Sequence, residues 1–415
     1  MAAPPTRRVL ISGAGIAGPV AAYWLGRAGV QTVLVERASS LRNSGQTLDV
    51  NGIARQVVER MGLTDAVRAA CTGEKGTLFV DGDDRVRASL PAGFGPTNEY
   101  EIVRHALSQV FYDASKAETE YIFSESIKNF VETESEVLVE FASGAPSRPF
   151  DAVILADGIH STTRSLVFGA NDDAIQLKTL GAHAAYFSLP FKPEEDTLWS
   201  KWWVTTGRRW IWLRPTGSSN EGPAMLAALC SRDPAAQEEL RGYRHLPQAE
   251  QKAMWARFFR GAGWKTDRIL DGMAGAEDFY VQEMAQIIAS RWSKGRVVLV
   301  GDAAYSPSPL SGMGTSCAIT GAYILANELA NRQQSVQEAF ESYERLVRPY
   351  VQHHQAEAIG PSLADFLMPD TQWGLRRLYL VLSTVATVVN SPIRKLLTLL
   401  GGGVEDEKLT LPKYD

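Results

Sequence analysis

Apolar positions along this chain keep two rhythms. From Val9 to Ser12 they run almost without interruption and are largely β-branched, the pattern of a parallel strand covered on both faces. Gly13, Gly15 and Gly18 follow. Pro19–Arg27 then reads as an Ala-rich helix, and Val33–Val35 as a second buried strand that Glu36 ends. Ala54–Met61 has helical spacing, with Gly62 as its stop. Thr77–Val80 and Arg85–Leu90 predict a hairpin around Asp81-Gly82. Tyr100–Ala114 starts with Glu101-Ile-Val-Arg104 and continues as a helix. Glu120–Phe123, Ser126–Phe130, Val137–Phe141 and Ala152–Leu155 predict strands.

The second rhythm holds from about 176 to 285. Strand-like runs (Ala182–Leu189, Leu198–Val204, Arg209–Leu213, Ala224–Leu229) alternate with Pro and Gly loops, and Gln248–Phe259 predicts a helix with Trp255 and Phe259 one turn apart. This block reads as an antiparallel sheet with attached helices, inserted between segments of the first pattern. Arg296–Val300 returns to a buried strand, Cys317–Leu329 is an Ala-rich helix, and a long helix runs on to about Ala358. Leu378–Leu400 is apolar but broken by Asn390, Pro392, Arg394 and Lys395. It reads as one or two buried or amphipathic helices, with a membrane-surface helix as the alternative.

Strand, G-x-G-x-x-G, helix, strand and terminal acid fall at the spacing of a dinucleotide site. The first glycine permits the tight turn, the second the approach of a pyrophosphate, and the third close packing of helix on strand. The helix N-terminus offers free N–H groups to phosphate. Glu36, about 20 residues on, is placed for a ribose hydroxyl. The bland reading is a βαβ unit with a glycine turn, and the motif alone does not separate NAD from FAD.

Composition narrows the partners. A formal charge of −5 and the lack of a basic run argue against nucleic acid. Three distant cysteines, Cys71, Cys230 and Cys317, form neither a metal pattern nor a disulfide framework, as expected of a reducing, cytoplasmic compartment. The first strand begins within a few residues of Met1, leaving no room for a signal peptide, and no stable membrane insertion is expected. Seven tryptophans lie between Trp199 and Trp264. They read as core or domain seam, with two or three free to line a pocket for a planar substrate. His160 and His183 read as structural, because nothing pairs with them for acid–base work.

Two further motifs complete an ordered set: Ala156-Asp157-Gly158-Ile159-His160-Ser161, and Gly301-Asp302-Ala303-Ala304 leading to Gly312-Met313-Gly314. Asp302 ends a predicted parallel strand, where open α/β sheets bind ligands. Pro309 and the two glycines form a loop able to approach a flat ring, and the helix after Ser316 turns its positive end toward it. Together the motifs resemble the single-component flavin monooxygenases of the p-hydroxybenzoate hydroxylase fold, and within them the branch of the tetracycline-inactivating oxygenases.

The resemblance implies an α/β fold: a Rossmann-like FAD-binding domain of the glutathione-reductase type (1–75, 100–175, 286–360), an inserted antiparallel-sheet substrate domain (76–99, 176–285) and a C-terminal helical segment (361–415). It implies FAD and NADPH as cofactors, O2 as co-substrate, an aromatic or polycyclic small molecule as substrate, and a monomer or homodimer. Gly13, Gly15, Gly18, Glu36 and Arg37 are implied at the ADP end, Arg104 at the pyrophosphate, and Asp157 with Gly158 in FAD and NADPH use. Asp302 is implied at the ribitol, Gly312, Met313 and Gly314 under the ring, Asp49 as an FAD contact and Arg42 as an NADPH contact. The chemistry implied is hydroxylation through a flavin C4a-hydroperoxide, with no side-chain nucleophile. Tyr305 and Ser316 depart from the family's common His and Asn, and Tyr305 is a possible substrate contact. Trp210-Ile-Trp-Leu-Arg-Pro215 superficially resembles a stretch of the flavin halogenases, which keeps halogenation open. Epoxidation, Baeyer–Villiger insertion and a non-oxygenating FAD carrier also stay open.

Overall fold

A computed structural model describes residues 7–42, 45–169, 173–219, 222–307, 311–356, 361–392 and 409–414. Arg8–Ser12 is the pivot of a six-stranded sheet. It pairs in parallel with Gln31–Glu36 on one side and Ala152–Leu155 on the other. Thr119–Phe123 extends the sheet beyond Gln31–Glu36, and Val297–Leu299 extends it beyond Ala152–Leu155, both in parallel. Only the short edge strand Ser293–Lys294 runs antiparallel. Continuous apolar strands need cover on both faces. They share one core with the helices Ala17–Arg27, Arg104–Ser115, Gly314–Ala330 and Val336–Ala356, and with a small antiparallel sheet of Ile127–Glu132, Val137–Phe141 and Arg148–Phe150.

The second sheet has seven strands, in the order Tyr280–Ala289, Ile175–Pro190, Gly222–Ser231, Arg209–Ser219, Ser200–Thr205, Gly76–Val80 and Val86–Pro91. Period-two alternation gives it two apolar faces. Phe187, Trp203 and Ile211 pack under the helices Gln248–Phe259 and Thr266–Gly275. Tyr186, Trp202, Trp210 and Trp212 point the other way, toward Met368 and Leu378. Ile175–Pro190 spans 16 residues and pairs with Tyr280–Ala289 along most of its length. Ile175 at its start packs against the core of the first sheet, while Phe187 lies in the second, so one strand ties the two layers together.

Three elements take bounds that the sequence alone did not set. Within Tyr100–Ala114 the helix starts at Arg104, and the preceding Glu101–Val103 is a strand paired antiparallel with Thr47–Asp49. Ile102 and Val103 are β-branched and buried there, which suits the extended state. The helix expected from Cys317 begins at Gly314. Beyond 370, Gln372–Val389 is one amphipathic helix lying on the seven-stranded sheet, with Leu378 and Ala386 buried. The rest of that apolar stretch, from 393, lies outside the described residues, and no helix among those described is long and apolar enough to cross a membrane.

Candidate active site

The glycine turn has the geometry its spacing implies. Gly13 has φ +107°, and a Cβ there would lie 2.7 Å from the Ala156 carbonyl oxygen. A Cβ on Gly18 would lie 2.0 Å from the Gly13 oxygen. Both positions therefore demand glycine. The helix that follows has no side-chain cap at its N-terminus, leaving backbone N–H groups for a ligand. The Glu36 carboxylate accepts from Ala14 N (2.9 Å) and Ala38 N (3.0 Å), which fixes it beside the turn.

A cavity of about 820 Å³ starts at this turn and runs between the two sheets. It brings together every site residue expected from sequence except Gly18, which packs against Gly13, and Met313, which packs against the core beneath. Arg104, first in its helix, holds its guanidinium 3.6 Å from where a Gly15 Cβ would stand. Arg42 has a lowered pKa, from partial burial and then from the charges of Arg37 and Arg104. Asp302 follows Val297–Leu299. Burial raises its carboxyl above the usual range, and Arg104 opposes the rise. Asp157 accepts from Ser161 Oγ (3.0 Å) and from the Thr163 hydroxyl, but its buried Oδ1 has no partner among the described residues. Burial raises Asp157 as well. Two buried carboxylates and a row of uncapped N–H groups in one cleft suit a ligand that carries both hydroxyls and phosphates.

Aromatic rings fill the far half of the cavity. Trp202 stacks on Trp212 at 4.8 Å and meets Trp210 edge-on at 5.4 Å. The indole N–H groups of Trp202 and Trp212 are buried without partners among the described residues. Tyr186 stacks on Tyr280 at 5.1 Å, and the Tyr280 hydroxyl donates to Gln46 Oε1 (2.5 Å). Leu367, Leu378 and Leu382 close the opposite wall.

The FAD binding domain family matches residues 6–358. The chain belongs to the FAD-dependent monooxygenases. It is 34% identical to Monooxygenase CTB7 of Cercospora beticola, over 100% of this chain and 99% of that one. To FAD-dependent monooxygenase asL4 of Sarocladium schorii it is 32% identical, over 92% and 93% of the two chains. The crystal structure of tetracycline destructase Tet(51) superposes with a TM-score of 0.78 at 28% identity, covering 99% of this chain and 100% of that one. Fold, flavin dependence and monooxygenase class thus agree with the resemblance read from the motifs.

Other expectations for this monooxygenase change. Tyr305 is no substrate contact: it is 1% exposed, bonds the Tyr343 hydroxyl at 3.0 Å and packs on Trp292. Gly321 makes the room, since a Cβ there would meet the Tyr305 hydroxyl. Ser316 is buried and accepts from Asn51 N at 3.0 Å, so it ties a loop to the helix Gly314–Ala330. His183 bonds Gln237 inside the fold. His160 instead lines the cavity, with Nε2 2.7 Å from Arg244 Nη2. Burial and the charges of Arg244, Arg164 and Arg37 push it down to about 4, so the ring is neutral and accepts from Arg244. Pro309 lies outside the described residues.

Sequence reasoning missed one group. Arg214, in the Trp-Ile-Trp-Leu-Arg stretch, is 6% exposed and pairs with Glu74 (3.0 Å) and Glu101 (2.8 Å). Its guanidinium stacks 4.0 Å from the Trp212 ring centre. The only signal was a charge on the inward rhythm of a strand; its partners lie 140 and 113 residues away in the numbering, from 214 to 74 and 101.

Proposed function

We propose that this enzyme uses NAD(P)H and O2 to insert one oxygen atom into an electron-rich carbon of an aromatic or polycyclic small molecule. The observation that carries this reading is one continuous cavity leading from the glycine turn to an indole-lined chamber. Bound FAD supplies the redox chemistry and the activation of O2. We assign the ADP half to Gly13, Gly15, Gly18, Glu36 and Arg37. Arg104 neutralises diphosphate charge, Asp302 accepts from ribityl hydroxyls, and Asp157 holds the neighbouring turn. Asp49, Gly312, Met313 and Gly314 bound the ring site. The N-terminus of Gly314–Ala330 has no side-chain cap and favours negative charge there.

NADPH use is supported by the cationic rim, where Arg244, Arg164 and Arg37 act on the neutral His160 and Arg42 feels Arg37 and Arg104. A polycyclic substrate is supported by the stacked indoles, whose two free N–H groups would meet carbonyl or hydroxyl oxygens. The chamber keeps water from the reacting atoms. Residues 1–75, 100–175 and 286–360 form the FAD-holding unit in this reading, with 76–99 and 176–285 as the substrate unit and 361–415 as a C-terminal helical segment.

Purified protein loaded with FAD should be yellow. It should consume NADPH and O2 in step when offered polycyclic phenols such as hydroxyanthraquinones. Idle NADPH, with halogenated product formed only when reduced flavin is supplied from outside, overturns the reading.

A further inference from the structure

Two carboxyl groups and one guanidinium meet in the cavity wall, at the end where the ring-side loop 311–314 turns, and a third carboxylate, Glu74, pairs with the guanidinium. Arg214 holds Glu74 through Nε at 3.0 Å and Glu101 through Nη2 at 2.8 Å. Glu74 and Glu101 are 7% and 2% exposed. Asp49 and Glu101 are direct cross-strand partners on the antiparallel pair Thr47–Asp49 and Glu101–Val103, and each carboxyl feels the other, so the pair can share one proton. Asp49 Oδ1 is buried with no partner among the described residues, and Oδ2 lies 3.9 Å from where a Gly312 Cβ would stand. Asp49, Glu101 and Arg214 all line the cavity.

We propose that the Asp49–Glu101 pair, gripped by Arg214, takes up one proton each time the bound FAD is reduced. The proposal rests on the reading above, which sets the flavin ring against the 311–314 loop.

The charge count supplies the reason. With its shared proton the cluster carries one net negative charge; without it, two. Negative charge placed on the ring beside this wall raises the pair's affinity for a proton. Burial, opposed by Arg214 and reinforced by Asp49, already pushes Glu101 up to about 7, and burial raises Asp49 too. The proton is therefore exchangeable near neutrality.

The other groups facing the pair do not remove it. The Thr47 hydroxyl bonds Glu101, Asn98 bonds Asp49, and Thr97 bonds Glu74. The Cys71 thiol, which feels Glu101, Glu99, Arg55 and Arg68, is held above its usual value by burial and stays neutral. The balance closes with a nicotinamide as reductant. Its hydride carries two electrons and one proton's worth of hydrogen to FAD. The further proton comes from solvent and forms one carboxyl O–H bond on the pair, with nothing else oxidised or reduced.

The test is the two-electron midpoint potential of the oxidised holoenzyme, titrated with dithionite and reference dyes from about pH 6 to about pH 9. Below about pH 7 the pair is protonated in both redox states and adds nothing. Above it, one extra proton per two electrons changes the equilibrium tenfold per pH unit, steepening the slope by about 30 mV. Glu101→Gln and Asp49→Asn should each lose that extra slope. Glu74→Gln removes a repelling charge and should move the inflection to lower pH, a directed shift that loss of packing would not produce. A yellow wild-type enzyme without the extra slope overturns the proposal and leaves the function standing. So does a slope that survives both Glu101→Gln and Asp49→Asn. If the variants lose FAD, the wild-type profile decides. A chain that takes up no FAD overturns the functional reading, and the proposal with it.

Discussion

At the scale of single residues, the cost of the buried cluster is measurable. Glu101 has a raised folded-state pKa, so the native state binds more protons than the unfolded chain between pH 4.5 and about 7. Its contribution is least unfavourable below that window and worsens as pH rises through it. Wild type should lose on the order of 2–3 kcal/mol relative to Glu101→Gln between about pH 5 and about pH 8. Denaturant unfolding of both proteins at the two pH values checks this; parallel profiles refute it. Arg214→Met should be far worse, about 3–5 kcal/mol at neutral pH, because it strands two buried carboxylates. That loss should shrink as pH falls and the carboxylates protonate. The glycine turn and the place of Glu36 beside it were legible because their geometry is set by spacing within one short βαβ unit. The Arg214 cluster was not, since only the pairing of remote strands brings residues 74, 101 and 214 together.

Among elements, local pattern succeeded where a segment's partners are near in sequence. Arg8–Ser12, its helix and Gln31–Glu36 follow from their own apolar rhythm. That Glu101–Val103 is a strand could not be read from its own residues, because its extended state depends on Thr47–Asp49, more than fifty residues earlier. From sequence the stretch holding the helix Gln372–Val389 read as buried or amphipathic, with a membrane-surface helix as the alternative. That its buried face completes the indole chamber is a tertiary fact: Leu378 and Leu382 line the cavity, and the Tyr379 hydroxyl donates to Val80 O at 2.7 Å. Leu378→Asp puts a charge into that seam and should loosen the helix. Tryptophan emission should shift to the red as Trp202, Trp210 and Trp212 meet water, while flavin content holds, because the helix packs on the seven-stranded sheet and the neighbouring segment 366–368, away from the glycine turn. A variant that loses FAD but keeps its tryptophan spectrum contradicts this division of labour.

Taken as a whole, the chain returns to where it began. After the helix on the far sheet, residues 409–414 lie back on the core of the first sheet. Leu409 and Leu411 are 8% and 5% exposed there. The Pro412 carbonyl accepts from Arg60 Nη1 (2.7 Å) and from the Tyr323 hydroxyl (3.0 Å), and the Tyr414 hydroxyl donates to Glu328 at 2.7 Å. None of these strap contacts lines the cavity. Stability from the strap and stability from bound cofactor should therefore add. Leu411→Ala removes a buried leucine from a packed site and should cost about 2–4 kcal/mol. The same loss should appear in the FAD-free and FAD-loaded protein, with FAD affinity unchanged. Paired denaturant titrations with and without excess FAD measure both quantities. A penalty confined to the loaded form would mean that the strap shapes the cofactor site through Tyr323 and the helix Gly314–Ala330 that carries it, and the separation drawn here between scaffold and site would fail.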